Sequence, residues 1–378
     1  ILRLMSKRVS IIGKGTAGCI TALDMSNSGY EVDWYHDSTL PAASVGEGAD
    51  MEFCRFLDKH TDLNYNNLDK IDGYYKEGII KDNWGNQNFT HWFNLGTMSL
   101  HFNSNKLQNL IVENLKSKVN IIDQHVSSKS LNSDYTIDCS GTPIINNEFE
   151  LAKYIPVNSA YIRQCSWDYP QFKSTLAIAR PYGWVFCIPL KNRCSIGYLF
   201  NSNITTVDKI SEDWERIIHD YSLVLTNYST PKLINFSNYY RKENFTDKIS
   251  YNGNASFFLE PMEATSVNII IKNNQLTKGI IEGHFETYKH NKSYTNFLKE
   301  TQDMIMLHYL AGSKWKNEFW DMATSKAQDC WKESFTNYPK SHLITKDQIH
   351  YSTWNADSFK QNLTGLDLYK VLTQLQND

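Results

Sequence analysis

The sequence predicts an α/β fold, and three consecutive segments near its beginning carry that prediction. Arg8–Ile12 is a short apolar, β-branched run, which is typical of a buried strand. A glycine-rich turn follows at once, and residues 16–28 then have the apolar spacing of a helix that stops at Gly29. Residues 31–35 (EVDWY) form a second strand. A strand, a helix and a strand within about thirty residues are the repeating unit of a parallel sheet.

The glycine-rich turn has the G-x-G-x-x-G spacing of a dinucleotide-binding motif. Gly13 makes the tight turn, Gly15 lets the backbone approach a pyrophosphate, and Gly18 lets the helix pack on the strand. Thr16 and Ala17 begin the helix whose amino end holds phosphates. An ordinary glycine-rich turn is the alternative, but the flanking strands and helix favour nucleotide binding.

A ribose-binding acid is expected at the end of the second strand of such a unit. Asp37 meets this expectation, with His36 directly before it in the chain.

Most of the remaining chain is predicted as a strand-rich middle followed by a helical end. The predicted strands are 119–126, 134–139, 160–164, 174–179, 185–188, 194–200 and runs near 233–240 and 250–258. The predicted helical regions are 264–338 and 355–376. No low-complexity linker separates the regions, so we expect interleaved domains.

Composition excludes several classes of protein. Lys and Arg number 38 against 41 Asp and Glu, and a net charge of −3 argues against a nucleic-acid partner. No apolar run is long enough to span a membrane, and residues 1–8 lack a signal-peptide core. Seven scattered cysteines without C-x-x-C predict buried free thiols in a reducing, cytoplasmic setting. Histidine spacing predicts no protein-bound metal.

Three further segments carry motifs. Val45-Gly46-Glu47-Gly48 is predicted to open a helix, GWVFCIP lies at Gly183–Pro189 within the β region, and residues 253–266 (GNASFFLEPMEATS) end a strand and begin a helix. In this order, and with the glycine-rich turn, they resemble the flavin-dependent halogenases of the tryptophan-halogenase family over residues 8–290. Enrichment in Asn, Lys, Ile and Tyr is also typical of AT-rich genomes, including viral ones, which would place the protein in the host cytoplasm.

The resemblance implies an FAD-binding Rossmann-like fold of the aromatic-hydroxylase type, with a β-sheet substrate region and a helical C-terminal part. We therefore predict an interleaved FAD-binding domain and β-sheet substrate region over 1–290, and a helical substrate-side region over 291–378. The residues that the resemblance assigns to FAD are Gly13, Gly15, Thr16, Ala17, Gly18, Asp37, Val45, Gly46, Glu47 and Trp184. FAD would arrive reduced, as FADH2, from a separate reductase, and O2 and a halide ion would be co-substrates.

Lys76 is the first candidate for the chemistry. The stretch 73–79 alternates like a half-buried strand, and the resemblance implies that its lysine faces the substrate. There Lys76 would hydrogen-bond hypohalous acid or form a haloamine with it, and a strand could fix the ammonium in a dry site. The alternative is an exposed lysine on an edge strand.

Glu263, Thr265 and Ser266 form the second group of candidates. Glu263 precedes a helix, where a carboxylate is also favoured simply by the helix dipole. The resemblance implies that Glu263 sits beside the lysine and accepts the ring proton or polarises the oxidant. Thr265 and Ser266 would hold the halide through backbone amides at the helix start. Ala264 stands where the family often has serine.

Aromatic residues form the third group. Trp184 and Phe186 match a family pair that blocks the tunnel between flavin and substrate, with Phe186 replacing a tryptophan; plain core packing is the alternative. His91 and Phe93 alternate so that both point one way, and they resemble the family's substrate platform. Trp354 resembles its opposing face, although chance matches are easy in a chain with 13 % aromatic residues.

The predicted function is FADH2-dependent halogenation of an electron-rich phenol or indole through a flavin hydroperoxide, with hypohalous acid passed to Lys76. Two alternatives remain: a flavin monooxygenase with Lys76 as a bystander, and a non-catalytic flavin-binding protein. Whether identical subunits assemble is left open. Free tryptophan is not expected as the substrate, because residues 348–354 (QIHYSTW) contain no acid to pair with its ammonium.

Overall fold

The computed structural model describes residues 7–40, 46–64, 66–93, 99–284, 286–337 and 356–377. The chain forms two compact units, each assembled from three segments. The first unit contains residues 1–73, 102–151 and 239–296. The second unit contains residues 74–101, 152–238 and 297–378. The functional division at residue 290 stays a prediction.

The described residues form a mixed set of strands and helices. The strands are β1 Arg8–Ile12, β2 Glu31–His36, β3 Gly46–Ala49, β4 Tyr74–Lys76, β5 Gly78–Asp82, β6 Phe89–Trp92, β7 Ser99–Asn103, β8 Asn120–Asp123, β9 Tyr135–Asp138, β10 Phe149–Leu151, β11 Ser159–Ser166, β12 Thr175–Arg180, β13 Gly183–Pro189, β14 Arg193–Phe200, β15 Asn227–Tyr228, β16 Lys232–Asn235, β17 Tyr239–Arg241, β18 Ile249–Tyr251 and β19 Phe257–Phe258. The helices are α1 Thr16–Asn27, α2 Met51–His60, α3 Ser104–Leu115, α4 Val207–Asp220, α5 Ser266–Ile281, α6 Thr287–Ala311, α7 Glu318–Asn337, α8 Ala356–Gly365 and α9 Tyr369–Asn377.

The first unit is built on a parallel five-stranded sheet with the order β18-β9-β1-β2-β8. Helix α1 connects β1 to β2 and packs against α3 and α5. A short antiparallel sheet of β10, β17 and β19 completes the unit. The predicted strand–turn–helix–strand unit is confirmed, since β1 and α1 begin at the predicted residues and β2 extends one residue further.

The second unit is dominated by an eight-stranded sheet in which β11, β14, β13 and β12 are antiparallel neighbours. Strand β5 joins this sheet parallel to β12, and β6 pairs antiparallel with β5. Helix α4 buries Trp214 against the sheet in an apolar core that also contains Cys165, Cys187 and Cys194. Because this core buries side chains of β11 to β14, these strands are rich in apolar residues.

Two local predictions need correction. The segment predicted to open a helix at Val45 is strand β3 over Gly46–Ala49, and helix α2 begins only at Met51. Glycines disfavour a helix interior, whereas the Asp50 side chain caps α2 by accepting from the amides of Glu52 and Phe53. All seven cysteines are free thiols, but Cys54 is only half-buried.

Candidate active site

The glycine-rich turn of the first unit has the geometry that its spacing predicts. Gly13 has a φ of +100°, and a Cβ there would lie 2.2 Å from the carbonyl oxygen of Cys139. A Cβ on Gly18 would lie 2.0 Å from the carbonyl oxygen of Gly13, so only glycine lets α1 approach this closely. A Cβ on Gly15 would meet no atom within 4 Å, which leaves an open cradle at the helix start.

This cradle fits the pyrophosphate of a dinucleotide. Gly15 is the N-cap of α1, no side-chain hydrogen bond occupies the cap, and the first turn contains no acid. The amide groups and the dipole of a helix start bind negative charge. Thr16 and Ala17 form the first turn, and Gln108 of α3 donates to the Thr16 hydroxyl at 3.2 Å. The residues present therefore fit FAD.

Asp37 follows directly after the last residue of β2, as predicted for the ribose-binding acid. Its Oδ1 accepts from the Thr39 amide at 2.9 Å and from the Thr39 hydroxyl at 2.5 Å, and its Oδ2 lies 3.1 Å from His125 Nδ1. These hydrogen bonds, chiefly those from Thr39, lower the pKa of Asp37. The carboxylate is thus ionised and held in place at neutral pH, and its role toward ribose stays a prediction.

A second turn, at Gly253–Ala255, packs against the first. A Cβ on Gly253 would lie 2.5 Å from the Cβ of Ala17. The preceding residue, Asn252, is buried and donates to Asn274 Oδ1 at 2.8 Å and to the Ile270 carbonyl at 3.0 Å, while its own Oδ1 accepts from the Gly253 amide at 2.9 Å. Asn252 therefore ties this turn to helix α5. Sequence reasoning did not single out Asn252.

Helix α5 begins directly after the acidic motif. Thr265 is its N-cap, and no side chain among the described residues caps it. The uncapped start of a 16-residue helix leaves backbone amide groups available to an anion. That a halide binds there stays a prediction. Ala264 has a φ of +52°, a left-handed conformation that turns the chain between Glu263 and Thr265. Glu263 and Thr265 are half-buried, and Ser266 is exposed.

The motif that contains Gly46 and Glu47 is only partly described. Val45 lies outside the described residues, and Gly46 and Glu47 belong to β3. Helix α2, which follows, is linked to the start of α5 because Asn268 donates to the carboxylate of its cap residue Asp50. The three predicted FAD contacts in this motif stay predictions.

In the second unit, Lys76 ends strand β4 and is only 5 % exposed. The alternative of a solvated edge-strand lysine is therefore wrong, and buried lysines are rare enough to require a reason. The Lys76 ammonium lies 5.2 Å from the centre of the Phe93 ring, within the range of a cation–π contact.

The predicted aromatic platform is brought together beside Lys76. The rings of His91 and Phe93 meet edge to face, with centroids 5.4 Å apart and an interplanar angle of 82°. His91 is buried, and its Nε2 lies 3.0 Å from the Ser358 hydroxyl of α8. Trp92, between them, is exposed. Trp354 lies outside the described residues.

Trp184 and Phe186 lie on β13 and are both buried. Their centroids are 6.2 Å apart, and Trp184 also lies 6.4 Å from Trp84. Phe186 is opposite Gly197 of β14, and a Cβ on Gly197 would lie 2.2 Å from the Phe186 ring. The packing is dense, so it agrees with a barrier and equally with the core-packing alternative.

Two further residues of the second unit, His101 and Thr175, escaped the sequence analysis. His101 is fully buried on β7, and its Nε2 lies 2.8 Å from Thr175 Oγ1 on β12. Burial, and to a lesser extent the charge of Lys76, hold the pKa of His101 well below its ordinary value. The alternation of Ser99–Asn103 could have indicated a strand, but nothing in the sequence pairs His101 with Thr175.

The described residues contain no cluster of His, Cys, Asp and Glu arranged to hold a metal ion. Among the described helices, none combines the length and apolar character that a membrane crossing requires. The candidates divide between the units. The glycine-rich turn, Asp37, Glu263, Thr265 and Ser266 belong to the first, whereas Lys76, His91, Phe93, Trp184 and Phe186 belong to the second.

Comparison with known proteins shows which proteins this chain resembles. The chain resembles tryptophan 7-halogenase RebH from Lentzea aerocolonigenes, with 23 % identity over 271 residues, which are 64 % of this chain and 50 % of that protein. The alignment thus spans about half of this curated relative.

Two solved structures share the fold. The tryptophan halogenase of Shewanella frigidimarina superposes with a TM-score of 0.77 at 19 % identity, covering 99 % of this chain and 93 % of the other. The tryptophan 6-halogenase SttH of Streptomyces toxytricini gives a TM-score of 0.78 at 17 % identity, covering 98 % and 96 %. These likenesses confirm the predicted fold class.

The family model described as tryptophan halogenase matches residues 104–374, which is well over half of the chain. That match agrees with the glycine-rich turns and with the fold. The chain therefore belongs to the tryptophan halogenase family.

Proposed function

We propose that the protein is a flavin-dependent halogenase that uses reduced FAD, O2 and a halide ion to halogenate an electron-rich aromatic small molecule of phenol or indole type. The observation that carries the proposal is the buried ammonium of Lys76, 5.2 Å from the Phe93 ring. A family member without this chemistry would have no need to bury a lysine there. A separate reductase supplies the reduced flavin.

The first unit prepares the oxidant. Bound reduced flavin, reoxidised by O2, supplies the two-electron oxidation that converts halide to hypohalous acid. The open cradle at Gly15 binds the pyrophosphate, and Asp37 binds the ribose. The backbone amides at Thr265 and Ser266 bind the halide, since an uncapped helix start favours an anion.

The second unit handles the oxidant. Lys76 donates a hydrogen bond to the oxygen of hypohalous acid and holds it for attack by the substrate ring. The ring carbon bonds to the halogen, the oxygen–halogen bond breaks with its electron pair on oxygen, and that oxygen takes a proton from Lys76 and leaves as water. Glu263 accepts the proton that the ring carbon loses. Transfer through a haloamine on Lys76 is a variant of the same step.

Aromatic side chains define the substrate and protect the oxidant. His91 and Phe93 stack against the substrate ring, with Trp354 as the opposing face. Trp184 and Phe186 separate the flavin from the substrate, which suppresses direct hydroxylation.

Mass spectrometry of aromatic substrates incubated with reduced flavin, O2 and each halide tests the proposal. We expect product masses that change with the halide supplied. A hydroxylated product without halogen would instead identify a flavin monooxygenase. Bound FAD without turnover over a broad panel would identify a non-catalytic flavin-binding protein.

A further inference from the structure

The strand pair that carries Lys76 also carries the buried His101 on the same face. In the antiparallel register of β4 and β7, Lys76 lies opposite Ser99 and Tyr74 lies opposite His101. Since alternate residues of a strand share a face, Lys76 and His101 are diagonal neighbours on one face. Such neighbours are about 7–8 Å apart at their backbones, which is within reach of a long side chain.

The two ring nitrogens of His101 differ in their contacts. Nε2 lies 2.8 Å from Thr175 Oγ1. Nδ1 is buried and has no hydrogen-bond partner within the part of the chain that the structure describes. Because buried polar atoms are nearly always bonded, Nδ1 of His101 requires an explanation.

The charge state of His101 indicates which of its ring nitrogens carries the proton. Its pKa is held well below the ordinary histidine value by burial and by the Lys76 charge, so the ring is neutral at neutral pH. A neutral imidazole has one N–H and one lone pair. Positive charge attracts a lone pair and repels an N–H. The tautomer that suits Lys76 therefore donates from Nε2 to Thr175 and presents the Nδ1 lone pair.

We propose that His101 is a positioning residue for Lys76. Nδ1 has no bond to the ammonium in this structure, and a rotation of the Lys76 side chain allows Nδ1 to accept a hydrogen bond from the ammonium and to hold it in one direction. The inference deepens the proposed function and rests on it, because it concerns the lysine that handles hypohalous acid. The Lys76 ammonium also lies 5.2 Å from the centre of the Phe93 ring. An ammonium has three N–H donors, so a bond to His101 is compatible with a bond to the oxidant.

The physical benefit is preorganisation. A lysine side chain has several rotatable bonds, and its ammonium reacts productively only where it meets both the oxidant and the substrate. Thr175 fixes the His101 ring, and His101 in turn fixes the ammonium. Without this support, hypohalous acid would escape from Lys76 more often before it meets the substrate ring.

Two amide substitutions separate the roles of the two ring nitrogens. Asparagine at position 101 places an amide near the site of Nδ1, whereas glutamine reaches toward the site of Nε2. We expect His101→Gln and His101→Phe to lower kcat for phenol halogenation about tenfold, the usual effect of one hydrogen bond. The lost product should appear as free hypohalous acid, measured with a diketone trap. His101→Asn should retain most of the activity, and all three should bind FAD normally with unchanged KM.

Two reference variants make the outcome decisive. Lys76→Ala, measured in the same assay, reports on the proposed function itself. His290→Phe replaces a buried histidine of the first unit, edge-on to Phe245, and should leave the ratio of product to trapped oxidant unchanged.

The outcomes distinguish a failure of the proposed role of Lys76 from a failure of the proposed role of His101. Normal activity in Lys76→Ala would remove the proposed role of Lys76. An inactive Lys76→Ala beside normal His101→Gln and His101→Phe variants would overturn the His101 inference alone. Equal losses in all three His101 variants, together with a lowered Tm, would show a purely structural role. A raised KM at unchanged kcat would show a substrate contact; both results also overturn the inference.

Discussion

The two units of the molecule carry their functional information in different kinds of residue. In the first unit it resides in glycines, where an added Cβ at Gly13 or Gly18 would overlap a carbonyl oxygen at 2.2 Å or 2.0 Å. In the second unit it resides in buried polar and aromatic side chains, namely Lys76, His91 and His101. Under the proposed function, the first unit excludes side chains to admit a cofactor, whereas the second unit buries charge to handle a reactive small molecule.

This difference predicts different effects of substitutions in the two units. Substitutions in the glycine turns should change cofactor affinity or the free energy of unfolding, because they act through backbone packing. Substitutions of Lys76, His91 and His101 in the second unit should leave FAD binding intact and change only the chemistry.

Lys76→Ala should reduce halogenation to an undetectable level while FAD binding and peroxide release persist, because the proposed mechanism holds the oxidant through the Lys76 ammonium. Product mass, flavin fluorescence and a peroxide assay measure the three quantities. Lys173→Ala is the matched control, since Lys173 is exposed and paired with Glu77 at 3.1 Å. Near-normal turnover in purified Lys76→Ala would contradict the assignment.

Glu263→Gln should lower kcat by about 10²–10⁴, the range for removing a positioned proton acceptor. Glu263 belongs to the first unit but is proposed to act in the chemical step. This variant therefore tests whether the first unit also contributes to the chemistry. Glu286→Gln, an exposed glutamate that contacts Lys289, is the control and should be unchanged. If KM rises while kcat holds, Glu263 binds substrate and is not the base.

Gly15→Ala and Gly18→Ala form a matched pair within one turn. Gly18→Ala should destabilise the protein by about 1–3 kcal/mol, because its methyl group overlaps the Gly13 carbonyl. Gly15→Ala should leave Tm unchanged, since nothing lies within 4 Å, yet weaken FAD binding by filling the cradle. Thermal melts and FAD titration separate the two effects. Tight FAD binding by Gly15→Ala would place the pyrophosphate elsewhere.

Free tryptophan should be a poorer substrate than simple phenols and indoles. Residues 348–354 lie outside the described residues, so this prediction depends on the sequence, which contains no acid there. A buried ammonium without a partner is strongly unfavourable. Steady-state kinetics decide the point, and a kcat/KM for tryptophan about tenfold above that for phenols and indoles would contradict it.

Bromide or iodide should react at least as well as chloride. A helix-start amide site recognises charge more than size, and heavier halides are easier to oxidise and to desolvate. Phe186 in place of tryptophan also reduces the bulk in the predicted barrier. Competition between halides in one reaction measures the preference, and a strict preference for chloride would show that the site discriminates by size.

Secondary structure was predictable wherever the pattern was local. The start of α1, the strands from β11 to β14 and the helical end of the chain follow from apolar periodicity and turn residues. The helix predicted to open at Val45 was wrong because Asp50 supplies the stronger start signal five residues later. The ends of the strands predicted between residues 119 and 200 shifted by up to three residues, and the runs near 233–240 and 250–258 are each divided into two short strands. Hydrogen bonding to neighbouring strands decides where each strand stops.

The candidate site residues likewise differ in how far the sequence alone could predict their roles. The contacts of Gly15 and Gly18 lie within one β–α–β unit, so their spacing predicted them. Gly13 is different, because the atom that a Cβ would meet is the carbonyl oxygen of Cys139, far along the chain. The alternation around Lys76 indicated a strand but not its depth, and only the folded chain shows that Lys76 is 5 % exposed.

The sequence by itself determined the dinucleotide turn, the order of the family motifs and the identity of the candidate residues, because these depend on neighbours along the chain. The tertiary structure decided which side chains are buried and which meet across strands. His101 faces the side of Lys76 through a strand register, Thr175 holds His101 from another strand, and Gly197 makes room for Phe186. Register and burial arise from long-range pairing, which no local pattern specifies.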